Sequence, residues 1–141
     1  MSAIRYQVTA TVLGLMQALG AAEVELEPSS DPVSFDAIHI FDHGHRTVDG
    51  ESGNETYQLN LTIERYYEAD GSDTYVDANE GYAEIAAAMK ADPPLGGLAE
   101  WVAEGDLRMF TAPLAGASRR CVAVDFTIQF ATSRTDPAQA A

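Results

Sequence analysis

The chain has 141 residues, with 22 Asp and Glu against 8 Lys and Arg, a formal net charge of −14 and an isoelectric point near 4.3. That balance excludes a surface that grips nucleic acid or anionic lipid, because both need clustered cations. A hydrophobic content of 46% in periodic stretches excludes disorder, and the length suits one domain able to bury a core without disulfides.

Residues 3–19 predict a helix. Ile4, Val8, Val12, Leu15 and Leu19 recur at spacings of four and three, Met16 widens the stripe, and Gly20 is a natural stop. The stripe is assigned to the core. Glu23–Glu27 alternates as a short strand ending at Pro28, and residues 28–32 read as a loop. A longer β region follows, from Phe35 to Val48 and from Tyr57 to Tyr67, joined by a polar connection at 49–54 suited to a hairpin. Its second half sets Tyr57, Leu59, Leu61 and Ile63 on one face and Gln58, Asn60, Thr62 and Glu64 on the other, a buried face and a wet one. Of Tyr66 and Tyr67, one ring is expected in the core and one outside.

A second helix is expected from about Thr74 to Ala91, with Val76, Ala83, Ala86 or Ala87 and Met89 as its apolar face and Ile85 broadening it. Asp92-Pro93-Pro94 ends it. Leu95–Leu98 turns into a strand at 99–104, Glu104-Gly105-Asp106 turns that into a strand at 107–111, and 112–118 is a loop. Trp101 is expected in the core. The last strand alternates most clearly, with Val122, Val124, Phe126, Ile128 and Phe130 on one face, and residues 132–141 form an exposed tail. The order predicts one α+β domain over residues 1–131. It has two layers, a mostly antiparallel β-sheet with two α-helices packed on one face.

All three histidines lie in one segment, His39-Ile40-Phe41-Asp42-His43-Gly44-His45. On an unbroken strand His39, His43 and His45 share one face, where imidazoles with a carboxylate such as Asp49 or Glu51 can bind a transition metal in the manner of a cupin-like enzyme. A polar strand face running into a loop is the favoured reading, because no histidine elsewhere completes a site and Gly44 breaks the strand. Catalytic and cofactor-binding residues are therefore assigned to none. Cys121 is the only cysteine, which excludes an internal disulfide, and its place at the start of an apolar strand predicts an inert thiol. No phosphate loop, dinucleotide fingerprint or nucleophile elbow occurs. The first residues lack the layout of a secretory signal and no apolar run nears the roughly 18 residues that span a bilayer, so a soluble protein folded in a cytoplasm is expected.

The element order and several local sequences resemble the tail-terminator (tail-completion) proteins of long-tailed bacteriophages and prophage particles. The strand Tyr57–Glu64 with the helix after it, the turns Pro94–Leu98 and Glu104–Asp106, and above all the ending Val124–Pro137 carry the likeness. It implies a virion structural protein without catalytic residues or cofactor. Such proteins form a ring, usually of six copies, at the head-proximal end of the tail tube, with the tube protein and a head–tail connector or neck protein as partners and no membrane. Another neck or minor tail protein is the nearest alternative. Ring contacts are expected at 49–56, 112–120 and 132–141, with Glu51, Glu55, Arg119, Arg120, Arg134 and Asp136 as candidates.

Residues 23–80 hold 15 acidic and 2 basic residues, so nearly the whole charge belongs to the first β region and its flanks. In a ring, part of that segment is expected to face the channel and let DNA slide through without binding.

Overall fold

The computed structural model describes residues 3–50 and 53–141. Among the described residues the chain forms helix α1 (Ile4–Gln17), strands β1 (Glu23–Leu26), β2 (Ala37–Val48) and β3 (Asn54–Tyr66), helix α2 (Ser72–Met89), a 3-10 turn at Pro94–Gly97, and strands β4 (Trp101–Leu114) and β5 (Ala117–Ser133). The strands make one sheet in the order β1-β2-β3-β5-β4. β1 runs parallel to β2, and each other neighbouring pair is antiparallel. The fold is the expected α+β domain.

Alternation decides what each face of the sheet carries. Ile40 pairs with Ile63, Ile63 with Val124, and Leu61 with Phe126, so the apolar sets of three strands stand side by side. Ile4, Val8, Val12 and Met16 of α1 and Ile85 and Met89 of α2 close over them as one core. Fully burying a side chain such as Phe126 or Phe130 contributes roughly 1.5–3 kcal/mol. On α1 the i, i+4 row runs through Met16, with Leu15 and Leu19 on its flank. On α2 the buried row is Ala78, Gly81, Ile85, Ala86 and Met89, rotated from the expected face. Val76 and Ala83 are exposed, because Gly81 is where the helix comes closest to Tyr67 and Arg65.

Two strands differ from expectation. Glu104-Gly105-Asp106 does not turn the chain. It is a bulge inside one continuous β4, with the register shifting between Glu104 and Leu107 against β5. The expected loop at 112–118 is a tight hairpin, Leu114 pairing with Ala117 across Ala115 (φ 49°) and Gly116 (φ 79°), the positive pair that a type I′ turn requires.

The face away from the helices is wet only along part of its length. A polar ladder crosses β3 and β5 there: Gln58 donates to Gln129 (3.0 Å), Thr127 to Asn60 (3.1 Å) and Thr62 to Asp125 (2.7 Å). Toward the other end, a second apolar cluster gathers Ala37, Tyr66 and Cys121 under Phe35, Ala112 and Leu114. Tyr66 is therefore buried on this face and Tyr67 on the helix side; neither ring points outward.

Candidate functional site

The histidine segment is where the structure departs furthest from strict alternation. Asp42 pairs with Leu61 and His45 with Leu59, so His43 and Gly44 form a bulge, Gly44 taking φ 92°. One extra residue returns the chain to the ladder on the opposite face. His39 and His43 stay on the helix-free face, while His45 turns to the helix side. The His39, His43 and His45 set of the alternative metal-site reading is not brought together.

Each imidazole has its own surroundings. His45 Nδ1 accepts a hydrogen bond from Arg5 Nε (2.9 Å), which fixes it as the neutral tautomer. Burial and then the Arg5 charge lower its pKa, with Asp42 opposing. His43 Nε2 lies 2.7 Å from Thr62 Oγ1, which donates to Asp125 Oδ1, and Arg108 pairs with both Asp125 oxygens at 2.8 and 3.0 Å. The Arg108 hydrogen bonds, opposed by burial, hold the Asp125 carboxyl below its usual range. His43, Thr62 and Asp125 floor an open concavity of about 300 Å³ with Asn60 and Thr127. With the Thr62 hydroxyl donating to Asp125, its oxygen accepts from His43 in this arrangement.

His39 is 1% exposed, wrapped by Tyr66 and Phe41. Its Nε2 hydrogen-bonds Glu23 Oε2 and lies 3.9 Å from Glu25 Oε2. The parallel register of β1 on β2, Glu23 opposite Ala37 and Glu25 opposite His39, puts both carboxylates on the histidine face. Glu23 Oε1 also accepts the amides of Val33 (3.1 Å) and Ser34 (3.3 Å), tying down the 27–36 connection. Burial raises the Glu23 pKa, but these hydrogen bonds outweigh it and leave the carboxyl below its usual range. Sequence reading missed Glu23 and Glu25; the alternation Glu-Val-Glu-Leu-Glu was the available signal.

The candidate contact residues also move. Glu51 lies outside the described residues. Arg119 is not in a loop: from β5 it donates to the carbonyls of Leu114, Ala115 and Glu68, and its guanidinium lies 3.9 Å from the Phe35 ring centroid. It serves the fold and is not free for a partner. Arg120 is half-buried, 5.6 Å from the Tyr75 ring, with its Nε unpaired among the described residues. Arg134 donates to Asn54 O and sits 3.7 Å from Glu55, and Asp136 accepts from the Ala138 amide. The 132–141 segment is largely exposed yet folds back: Thr132 bridges Ala140, and Pro137 O accepts the Ile4 amide at the start of α1.

Trp101, expected in the core, opens β4 on the sheet's edge and is 36% exposed. Leu107 and Phe110 on the same strand are 41% and 37% exposed. Pairing with β5 puts Trp101 and Phe110 on the helix-free face and Leu107 on the other. β4 is thus a 14-residue edge with apolar side chains on both faces and its outer backbone groups unpaired within the sheet.

The chain matches no protein-family model and no curated protein. No described helix is long and apolar enough to cross a membrane.

Proposed function

We propose that this chain is the subunit of an oligomeric ring of the tail-terminator kind, a virion protein that stops tail-tube growth at the head-proximal end and joins the tail to the neck. The observation that carries the reading is the β4 edge. A protein that works alone blunts a long edge with charge, proline or a covering element. β4 carries such devices in Glu104, Asp106, Arg108, Pro113 and its bulge, yet Trp101, Leu107 and Phe110 stay open beside them, which suits a specific neighbour in a closed head-to-tail ring. The α+β order of elements and the resemblance of the ending Val124–Pro137 agree with it. The partners are further copies of this chain, in a ring of six by the resemblance, together with the tube protein and a neck or connector protein. DNA passes through the channel unbound.

The test is assembly. Purified protein added to polymerising tube protein should cap tubes with rings visible by negative stain and limit their length. Trp101→Glu with Phe110→Glu should abolish the rings while leaving the monomer's circular dichroism unchanged. Binding to tube ends without any limit on length would favour another neck or minor tail protein. Wild-type monomers that never join a tube would overturn the reading.

A further inference from the structure

We propose that Glu23, Glu25 and His39 form a binding site for a divalent transition metal of the zinc type. Their donor atoms lie within 4.8 Å of one another, and among the described residues they are the group of three ligand-type side chains so placed. His39 Nε2 carries at most one proton, yet two carboxylate oxygens face it. Glu23 Oε2 is the hydrogen-bond partner of that nitrogen, and the Glu25 oxygen stands 3.9 Å from it, beyond hydrogen-bond reach. A cation between the three satisfies all of them at once. Tetrahedral zinc spaces nitrogen and oxygen donors roughly 3.3 Å apart. The Glu25 oxygen at 3.9 Å lies a little beyond this, and a modest rotation of its half-exposed side chain brings it to coordination distance.

The surroundings fit a ligand set. The Val33 and Ser34 amides hold Glu23 through its other oxygen, which orients the carboxylate as outer partners of metal ligands do. Glu25 has a side chain about half exposed, which provides an entry path and room for a solvent ligand. The ion would clamp β1 to β2 and hold the 27–36 connection against the sheet. The inference stands independently of the ring assignment.

Full-length protein freed of metal with chelator and desalted is titrated with zinc chloride, followed by calorimetry and by thermal unfolding. One zinc per chain is expected, with the unfolding temperature rising as zinc exceeds its dissociation constant. Cobalt in its place should give the visible absorption of a tetrahedral site. Glu25→Gln, at an exposed side chain, should keep the metal-free unfolding temperature and lose about tenfold or more in zinc affinity. His43→Ala should bind as wild type does. No stoichiometric zinc at tens of micromolar, or equal affinity in Glu25→Gln, overturns the site.

Discussion

Arg5 of α1 and Asp42 of β2 meet in a two-pronged pair, Nη1 to Oδ2 at 2.6 Å and Nη2 to Oδ1 at 2.8 Å. The pair fastens the first turn of α1 to the strand where it bulges, and Asp42 Oδ1 also accepts the Gly44 amide at 2.8 Å. One carboxylate therefore holds both the helix and the bulge that separates His43 from His45.

The Arg5 hydrogen bonds, against the opposing effect of burial, keep the Asp42 carboxyl below its usual pKa. A folded-state pKa below the unfolded one contributes stability that is full above the unfolded value, near 3.9, and is lost as pH falls through the folded value. Asp42→Asn should cost about 1–2 kcal/mol at pH 7, and the gap from wild type should narrow below about pH 4. Urea unfolding at pH 7 and pH 3 checks both halves; an equal gap at the two values would contradict the pairing.

Gly81 is buried in α2 where a Cβ would overlap Tyr67 Oη and crowd its Cζ at 3.0 Å. Alanine favours a helix interior by roughly 1 kcal/mol, yet Gly81→Ala should destabilise by about 1–3 kcal/mol because the ring is packed and has no room to retreat. The Tyr67 hydroxyl is buried without a hydrogen-bond partner among the described residues, so Tyr67→Phe should be neutral or stabilising. Combining the two should recover much of the alanine penalty, a coupling that a double-mutant cycle in denaturant measures directly.

Arg119 gathers three carbonyls and stacks on Phe35, so its loss strips the β4–β5 hairpin tip and the 27–36 connection together. Arg119→Ala should cost about 2–3 kcal/mol, and lysine should not restore it, since an ammonium neither stacks flat nor reaches the carbonyls as a fork. Hydrogen exchange should quicken around residues 112–120 in both variants. Full rescue by lysine would mean that charge alone matters there.

Cys121 is fully buried beside Ala37 and Tyr66, and burial pushes its thiol up to about 11. Thiol reagents at pH 8 should label it only through global unfolding, so the labelling rate should follow stability in mild denaturant. Rapid labelling of the native protein would show that the cover formed by Phe35, Ala112 and Leu114 opens on its own.

Much of the fold was readable in the sequence, for reasons that differ by element. α1, β3 and β5 carry long unbroken periods, and a period that persists over a dozen residues matches one geometry only. α2 was readable as a helix but not in its orientation: its alanine-rich surface offers several weak apolar faces, and the close approach of Gly81 to Tyr67 chooses among them. β4 was misread because Glu-Gly-Asp is turn chemistry, while the 17-residue β5 beside it supplies a template that turns those residues into a bulge. β5 begins at Ala117, inside the loop expected at 112–118, because a two-residue Ala-Gly turn is a weak signal in sequence.

By itself, then, the sequence determined the α+β class, the helix and strand periods, the single buried thiol and the concentration of acid in residues 23–80. Tertiary structure decided which side chains meet. It sent His45 to Arg5 and Asp42, gave His39 to Glu23 and Glu25, and left Trp101 on an open edge. The physical reason is that strand side chains alternate with a period of two, so one bulged residue inverts every facing beyond it. Strand order, which no local pattern encodes, then decides whether an apolar residue lies inside the sheet or along its rim.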